Sequence, residues 1–143
     1  MKKYYLFIIV ALITVVIAYF FIPKHTPTVT INKQIFKVEL AETNAARSAG
    51  LSNRDQLDKD TGMLFVFPEP GIYPFWMKNT KIPLDIIYIN EGLIVEMITL
   101  PAETSDNTPE YTPEQKANYV LELGAGSIQK YNLKVGDAVT IHR

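Results

Sequence analysis

The sequence has no cysteine among its 143 residues. This absence excludes thiol catalysis, zinc sites with thiolate ligands and disulfide bonds. Histidine is nearly as scarce, with His25 close to the N-terminal segment and His142 next to the C-terminus, so no histidine-based zinc site or catalytic triad is predicted. The sequence also lacks a phosphate-binding glycine loop and a serine in a nucleophile elbow. We therefore expect no metal and no cofactor.

Clustered basic residues are missing as well. The formal net charge is −1, and it becomes −3 when Lys2 and Lys3 are set aside, with 12 basic against 15 acidic residues remaining. Binding to nucleic acid needs a concentrated basic face. Nucleic acid is therefore not an expected partner.

Charge is absent from one long stretch near the N-terminus. Residues 4–22 are 19 residues without a charged side chain, and a helix of that length approaches the roughly 30 Å hydrocarbon thickness of a bilayer. Lys2 and Lys3 precede the stretch and favour an orientation with the N-terminus inside. We predict that residues 1–22 are a single-pass membrane anchor and that the rest of the chain is extracytoplasmic. A cleaved signal peptide is the alternative, although no cleavage pattern of small residues follows the apolar run.

After the anchor, residues 23–28 form a short tether with two prolines, and residues 29–143 have the pattern of one β-rich domain. Strands are predicted over residues 29–40 with a turn at Asn32 and Lys33, and over residues 62–67, 73–80, 84–89, 93–100, 119–123 and the C-terminal end. Short helices are predicted over residues 43–49, capped by Thr43, and over residues 127–131. Residues 68–71 are predicted to turn, and residues 101–114 form a polar loop. These elements predict a mainly β fold, a compact sandwich or barrel with one or two short helices.

Several motifs together resemble domain-of-unknown-function family 192, a widespread prokaryotic family. The longest is FWMKNTKIPLDI at residues 75–86. The other matching residues are Arg47, Gly50, Leu51, Arg54 and residues 62–65, 119–122, 126 and 135–137. The resemblance implies a compact β-sandwich or barrel-like fold, often exported or membrane-attached, with no established activity. Many relatives carry cysteines in the loop before residues 119–122, and this chain has none there, so a thiol-dependent role is not expected.

Asp85 interrupts an otherwise apolar strand. Alternation places its side chain on the face of Ile87 and Ile89, where a carboxylate needs hydrogen bonds or a counter-charge. Two interpretations remain open. Asp85 is either a general base or ligand-orienting group, or a structural partner of a nearby cation or of backbone N–H groups.

A second candidate region is the segment that contains the only tryptophan. Trp76, Lys78 and Thr80 are predicted on one face of an extended segment, with Phe75 and Asn79 on the other. Two interpretations remain open. The first face is a recognition strip for a polar or sugar-like ligand, or Trp76 has a structural role and covers the end of the core.

Two arginines complete the set of candidates. Arg47 and Arg54 could together hold an anionic ligand, but Arg54 also has Asp55, Asp58 and Asp60 close in sequence as surface ion-pair partners. The candidate ligand-binding residues are Arg54, Trp76, Lys78, Asn79 and Asp85.

Three functional hypotheses follow. The leading one is a membrane-tethered, extracytoplasmic, non-catalytic binding or accessory domain for an envelope glycan, peptide or protein. The second is an envelope hydrolase in which Asp85 and Glu69 are acid and base, which requires the two carboxylates to lie within roughly 5 to 10 Å of each other. The third is a structural or assembly protein that binds its partners through residues 101–114.

Overall fold

The computed structural model describes residues 5, 12–14 and 26–143. The anchor predicted over residues 1–22 lies outside the described residues, apart from residues 5 and 12–14, and so does the first half of the tether, residues 23–25. Within the described part of the chain, no helix has both the length and the apolar character needed to cross a membrane.

Residues 26–143 fold into nine strands and two short helices. In chain order they are β1 (Thr28–Ile31), β2 (Gln34–Ala41), α1 (Asn44–Ala49), β3 (Thr61–Gly71), β4 (Phe75–Trp76), β5 (Leu84–Asn90), β6 (Leu93–Leu100), β7 (Glu110–Tyr111), β8 (Ala117–Gly124), α2 (Ser127–Lys130) and β9 (Val139–His142).

Seven of the strands form one curled sheet in the order β6-β5-β8-β3-β2-β1-β9, and β4 pairs with β7 separately. Neighbouring strands are antiparallel except β2 and β3, which run parallel. The two edge strands meet at one end, where Leu93 forms a bridge with Ala138 and the Val139 N–H donates to the Gly92 carbonyl at 2.8 Å. The sheet is thus a half-barrel, and the prediction of a mainly β fold with few short helices is confirmed.

Successive side chains of β5 and β8 supply two hydrophobic clusters on the two faces of the sheet, as the two-residue period of a strand requires. The first cluster, the barrel core, takes residues from all seven strands and includes Leu64, Ile87, Ile89, Leu121 and Leu123. The second, the outer core, includes Leu51, Phe65, Phe75, Met77, Ile86, Tyr88 and Val120. The segment that contains α1 and the β4–β7 pair cover this second face.

Helix α1 begins and ends as its sequence predicts. The Thr43 hydroxyl oxygen accepts a hydrogen bond from the Ala46 N–H at 3.1 Å, and Gly50 ends the helix with a φ of 49°. A hydroxyl that satisfies one free N–H of the first turn is the usual stabiliser of a helix start. Because the helix has only six residues, this cap and its packing on the sheet maintain it.

Two local predictions are wrong. Residues 68–71 do not leave the sheet in a turn; β3 continues through them to Gly71, and its register with β8 shifts between Val66 and Gly71. The irregularity accommodates Pro68 and Pro70, because proline cannot donate to a regular ladder. The predicted loop at residues 101–114 contains a strand, β7, which pairs with β4.

The extended segment predicted over residues 73–80 is also shorter than expected. Only Phe75–Trp76 is a strand, and Asn79 has a φ of 56°, which belongs to a turn. The alternation therefore breaks before Thr80, which is buried at 4% exposure while Asn79 is exposed. Trp76 and Lys78 do face outward, as the interpretation of this segment as a recognition strip requires.

Gly62 occupies the tightest point between β3 and β8. A Cβ atom at this position would lie 2.1 Å from the backbone carbonyl oxygen of Glu122 and 2.8 Å from Cδ2 of Leu123. The first contact involves main-chain atoms of a paired strand, which cannot move without disturbing the sheet. Glycine is therefore required here for close approach of the two backbones.

We predict that Gly62→Ala destabilises the domain by roughly 3 kcal/mol or more, since the added methyl forces β3 away from β8. The matched control is Gly124→Ala on β8, where a Cβ would meet no atom within 4 Å. That control should change the stability by less than about 1 kcal/mol. Urea unfolding of both variants measures the difference, and equal midpoints would contradict the role assigned to Gly62.

Candidate functional site

A cleft of about 290 Å³ opens on the outer-core face of the sheet. One wall is α1, which contains Ser48, together with the residues that follow it, including Ser52. The other wall is β4 with the segment before it. Phe65 and Phe67 of β3 and Glu122 of β8 line the cleft from the sheet and form its floor. The lining combines hydroxyl groups, aromatic rings, the Arg47 guanidinium and one carboxyl group, a composition suited to a small polar ligand with an apolar face.

Glu122 is the unusual residue of this floor. Its side chain is buried, and its Oε2 atom has no hydrogen-bond partner within the part of the chain that the structure describes. Burial raises the pKa of Glu122 from 4.5 to about 8, against the opposing attraction of the Arg54 guanidinium. The carboxyl group is therefore mostly protonated at neutral pH, and it can donate as well as accept a hydrogen bond.

Gly50 leaves room above this carboxyl group. A Cβ atom on Gly50 would lie 3.9 Å from Oε2 of Glu122 and 3.4 Å from the Phe65 ring. At Gly50 the chain turns sharply out of α1, close to the floor of the cleft. This turn requires a positive φ, which glycine adopts readily because it has no side chain.

Arg54 lies near Glu122 but is paired with another acid. Its Nη1 and Nη2 donate to the two carboxylate oxygens of Glu39, each at 2.7 Å. This fork lowers the pKa of Glu39 and raises the pKa of Arg54. The predicted alternative of an ion pair is thus realised with Glu39 rather than with the sequence-adjacent aspartates. Because the pair satisfies both charges, Arg54 compensates Glu122 only weakly.

Arg47 is fixed at the wall of the cleft by neutral acceptors. Its Nη1 donates to the backbone carbonyls of Glu42 and Val66 at 2.7 Å each, and its Nη2 donates to Oδ1 of Asn44 at 2.5 Å. The guanidinium also lies over the Phe67 ring, 5.3 Å from its centre. These contacts hold a positive charge in one place without neutralising it.

Trp76 stands at the rim. Its side chain is 59% exposed although its neighbour Phe75 is buried and packs edge-on against Phe65 with ring centres 4.8 Å apart. Phe75 and Trp76 pair with Tyr111 and Glu110 of β7, which fixes the direction of both side chains. Phe75 therefore anchors β4 in the outer core, and Trp76 presents its ring to the cleft.

Lys78 and Asn79 lie in the turn that follows. The Lys78 carbonyl accepts from the Ser52 hydroxyl at 3.0 Å, and the Asn79 N–H donates to Oε2 of Glu103 at 2.5 Å. The Asn53 N–H donates to the Asn79 carbonyl at 2.7 Å. These bonds use the backbone of the turn and tie it to the segment after α1, while both side chains remain exposed beside the cleft rather than in its lining.

Asp85 is placed on the opposite face, in the barrel core, as alternation with Ile87 predicts. It is fully buried, and both of its oxygens accept hydrogen bonds: Oδ1 from the Thr99 hydroxyl at 2.6 Å and Oδ2 from the Ile128 N–H at 2.8 Å. The contact with Ile128 holds α2 against the sheet. This environment matches the structural interpretation of Asp85, with a backbone N–H as one partner.

The cleft thus brings together only part of the predicted set. Trp76 lines it, Lys78 and Asn79 border it, Arg54 lies in a neighbouring groove with Glu39, and Asp85 lines neither. Glu122 is a site residue that the sequence-based prediction missed. Its signal was a single acid among apolar neighbours in residues 119–123, the same signal that drew attention to Asp85.

Metal chemistry finds no support in the side chains that are described. No group of three or more acidic, histidine or cysteine side chains is arranged to hold a metal ion within residues 26–143. A single carboxyl group among hydroxyls and rings is better suited to hydrogen bonding with an organic ligand.

We predict that Glu122 makes stability pH-dependent. Its folded pKa lies above its unfolded pKa, so the unfolded state binds fewer protons between these values and the free energy of unfolding falls as pH rises. From pH 5 to pH 8 the loss is up to about 4 kcal/mol relative to a Glu122→Gln variant, which lacks the titration. Urea unfolding at both pH values measures this difference. Glu91→Gln, in the exposed β5–β6 turn, should follow the wild type, and parallel profiles for wild type and Glu122→Gln would contradict the prediction.

Two proteins of known structure are similar to this chain in fold and in sequence. A protein from Sinorhizobium meliloti 1021, whose name proposes a transcription regulator, has a crystal structure that superposes with a TM-score of 0.73 at 30% identity, covering 84% of this chain and 96% of that one. A protein of unknown function from Novosphingobium aromaticivorans DSM 12444 superposes with a TM-score of 0.70 at 31% identity, covering 80% of this chain and 83% of that one.

No curated protein matches the chain. The family model for DUF192, described as Uncharacterized ACR, matches residues 27–141. This match covers β1 to β8, all of β9 except its last residue, and the motifs that carried the resemblance. The chain therefore belongs to the DUF192 family.

Proposed function

We propose that this chain is a non-catalytic binding or accessory module, held at the outer face of a membrane by residues 4–22. It takes a small polar ligand from the cell envelope, a glycan or peptide unit, in the cleft beside α1. The observation that carries the proposal is the cleft itself, with an exposed tryptophan at its rim and, at its floor, a buried carboxyl group whose Oε2 has no partner among the described residues.

Trp76 supplies the apolar contact in this proposal. A large aromatic side chain that is 59% exposed loses much of the stabilisation that burial would give it. Its position is nevertheless fixed by the β4–β7 pairing and by the buried Phe75 beside it. A rigid exposed ring is a surface on which the apolar face of a sugar or a peptide side chain packs at small entropic cost.

The rest of the cleft is equally well held. Arg47 has three neutral hydrogen-bond acceptors and a ring contact, and the turn at Lys78 and Asn79 is tied to Ser52, Asn53 and Glu103. Such a site needs little ordering when a ligand binds, which favours recognition.

The alternatives receive less support. The hydrolase hypothesis assigns the chemistry to Asp85 and Glu69, but Asp85 uses both oxygens in the barrel core and Glu69 lies on the exposed end of β3, so neither lines the cleft. The assembly hypothesis relies on residues 101–114, which are tied to the domain by β7 and by the hydrogen bond from the Asn79 N–H to Glu103. The role proposed in the name of the S. meliloti protein is not extended to this chain, because the charge balance is acidic.

We predict that envelope glycan and peptide fragments bind to the purified full chain in detergent and that Trp76→Ala weakens the binding roughly tenfold, about 1.4 kcal/mol. Lys78→Ala, at the border of the cleft, should weaken it by a smaller factor, about threefold. Isothermal titration measures both, with Lys116→Ala as an exposed-lysine control. Unchanged binding in Trp76→Ala and Lys78→Ala would remove this region as the binding surface.

We also predict that protease added to intact cells degrades the domain. This follows from the proposed orientation, with Lys2 and Lys3 inside and residues 26–143 outside. Immunoblotting against a C-terminal tag measures the loss, and a cytoplasmic protein serves as the control for cell integrity. Protection of the domain until the cells are lysed would reverse the topology.

A further inference from the structure

Resting on the proposed function, we propose that the ligand of the cleft carries a primary ammonium group and that Glu122 binds this group at the floor. The inference starts from the contrast between two buried acids. Among the described residues, Asp85 and Glu122 are the buried acidic side chains. Asp85 has a hydrogen-bond donor for each oxygen, whereas Oε2 of Glu122 has none.

A buried carboxyl oxygen without a partner is rare in folded proteins, because the lost hydration is not replaced. Once the carboxyl group is ionised, the missing partner must be a donor, because a carboxylate can only accept. Glu122 lines the cleft, and Gly50 leaves the space beside Oε2 free of a side chain. The cleft is therefore the direction from which a donor can reach this carboxyl group.

The charges around Glu122 favour a cationic donor. Arg54 is already forked to Glu39, so that pair is neutral as a whole. Arg47 carries a positive charge at the wall, where neutral acceptors hold it. Among the charges of the described residues, Arg54 is the one that lowers the pKa of Glu122, so Arg47 does not serve as the counter-charge of this carboxyl group. An ionised Glu122 is consequently a buried negative charge with weak compensation, and a ligand cation would supply the counter-charge.

The shape of the site favours an ammonium over a guanidinium or a metal ion. Glu122 is 4% exposed and its Oε2 atom is itself buried, so a ligand group that reaches this oxygen from the cleft has to be compact. An ammonium is a compact charge with three donors, whereas a guanidinium is planar and wider. A metal ion would need further ligands, and no group of three suitable side chains occurs in the described part of the chain. The exposed Trp76 ring then accommodates the remainder of the ligand.

Binding of an ammonium is coupled to a proton. Burial raises the pKa of Glu122 to about 8, so at pH 7 the carboxyl group must release its proton to solvent when the cation arrives. Among the described residues, the other titratable groups that interact electrostatically with Glu122 are Arg54, from the segment after α1, and Tyr88, from β5. Both have pKa values raised above ordinary values that are already 10 or more, so neither titrates between pH 6 and 8.

Two pairs of probes test the assignment with the full chain in detergent. Nα-acetyl-lysinamide and glucosamine carry one ammonium each and represent peptide and sugar sources of the same chemistry. The lysine derivative acetylated at Nε and N-acetylglucosamine are their uncharged counterparts. Trp76 is the only tryptophan of the sequence, so its fluorescence reports occupation of the cleft directly.

We expect each ammonium probe to bind at least tenfold more tightly than its acetylated counterpart at pH 7. Titration in two buffers of different ionisation enthalpy should show release of about one proton per Nα-acetyl-lysinamide bound. The affinity for this probe should rise about 50-fold from pH 6 to pH 8, because its own amine titrates near 10.4.

The variants make the assignment specific. Glu122→Gln should lose the preference for the ammonium and the dependence on pH, while Glu91→Gln should keep both. Circular dichroism establishes that the variants are folded, and the proton release of the wild type is an independent measurement that needs no variant.

Equal affinity for charged and acetylated probes, without proton release, would overturn the ammonium assignment and leave the binding function standing. A missing Trp76 response to all four probes would also overturn it. The binding function itself fails only if the envelope fragments do not bind to the full chain, so the two failures are distinguishable.

Discussion

The pairing of β3 with β8 is the contact on which the rest of the domain depends. β8 lies between β5 and β3 in the sheet. Its successive side chains belong alternately to the barrel core and the outer core. The two backbones approach so closely at Gly62 that no larger residue fits beside the Glu122 carbonyl. This tight point fixes where the Glu122 side chain emerges, since consecutive residues of a strand point to opposite faces. The floor of the cleft is therefore set by main-chain geometry before any side chain contributes.

The walls of the cleft are added to this floor by short elements with little stability of their own. A six-residue helix and a two-residue strand cannot persist alone in water. α1 is held by its Thr43 cap and by Arg47, which bonds across to the Val66 carbonyl of β3. β4 is held by β7 and by the buried ring of Phe75. The polar contacts around the cleft thus fasten its walls to the sheet, which explains why so many of them use backbone atoms.

Periodicity predicted most of the fold because the signals involved are local. Short apolar runs between turn signals located β5, β6 and β8, and the Thr43 hydroxyl and Gly50 marked both ends of α1. The parallel pairing of β2 with β3 and the existence of β7 could not be predicted in this way. Both depend on partners distant in sequence, and a two-residue strand carries almost no pattern of its own. The prolines at 68 and 70 suggested a turn, whereas the shift of register within the sheet tolerates them.

The candidate site was harder to predict because Asp85 and Glu122 have the same local signature, a single acid in an apolar strand. What separates them is remote: Asp85 receives the N–H of Ile128, 43 positions away, and the Thr99 hydroxyl from the neighbouring strand. Glu122 faces the other side of the sheet, where its nearest cation, Arg54, is already paired with Glu39. The fold thus supplies a donor for each oxygen of Asp85, whereas Oε2 of Glu122 has no partner in the part of the chain that the structure describes. An acidic residue in an apolar strand therefore indicates that a partner is required, but only the tertiary structure shows whether the protein itself provides that partner.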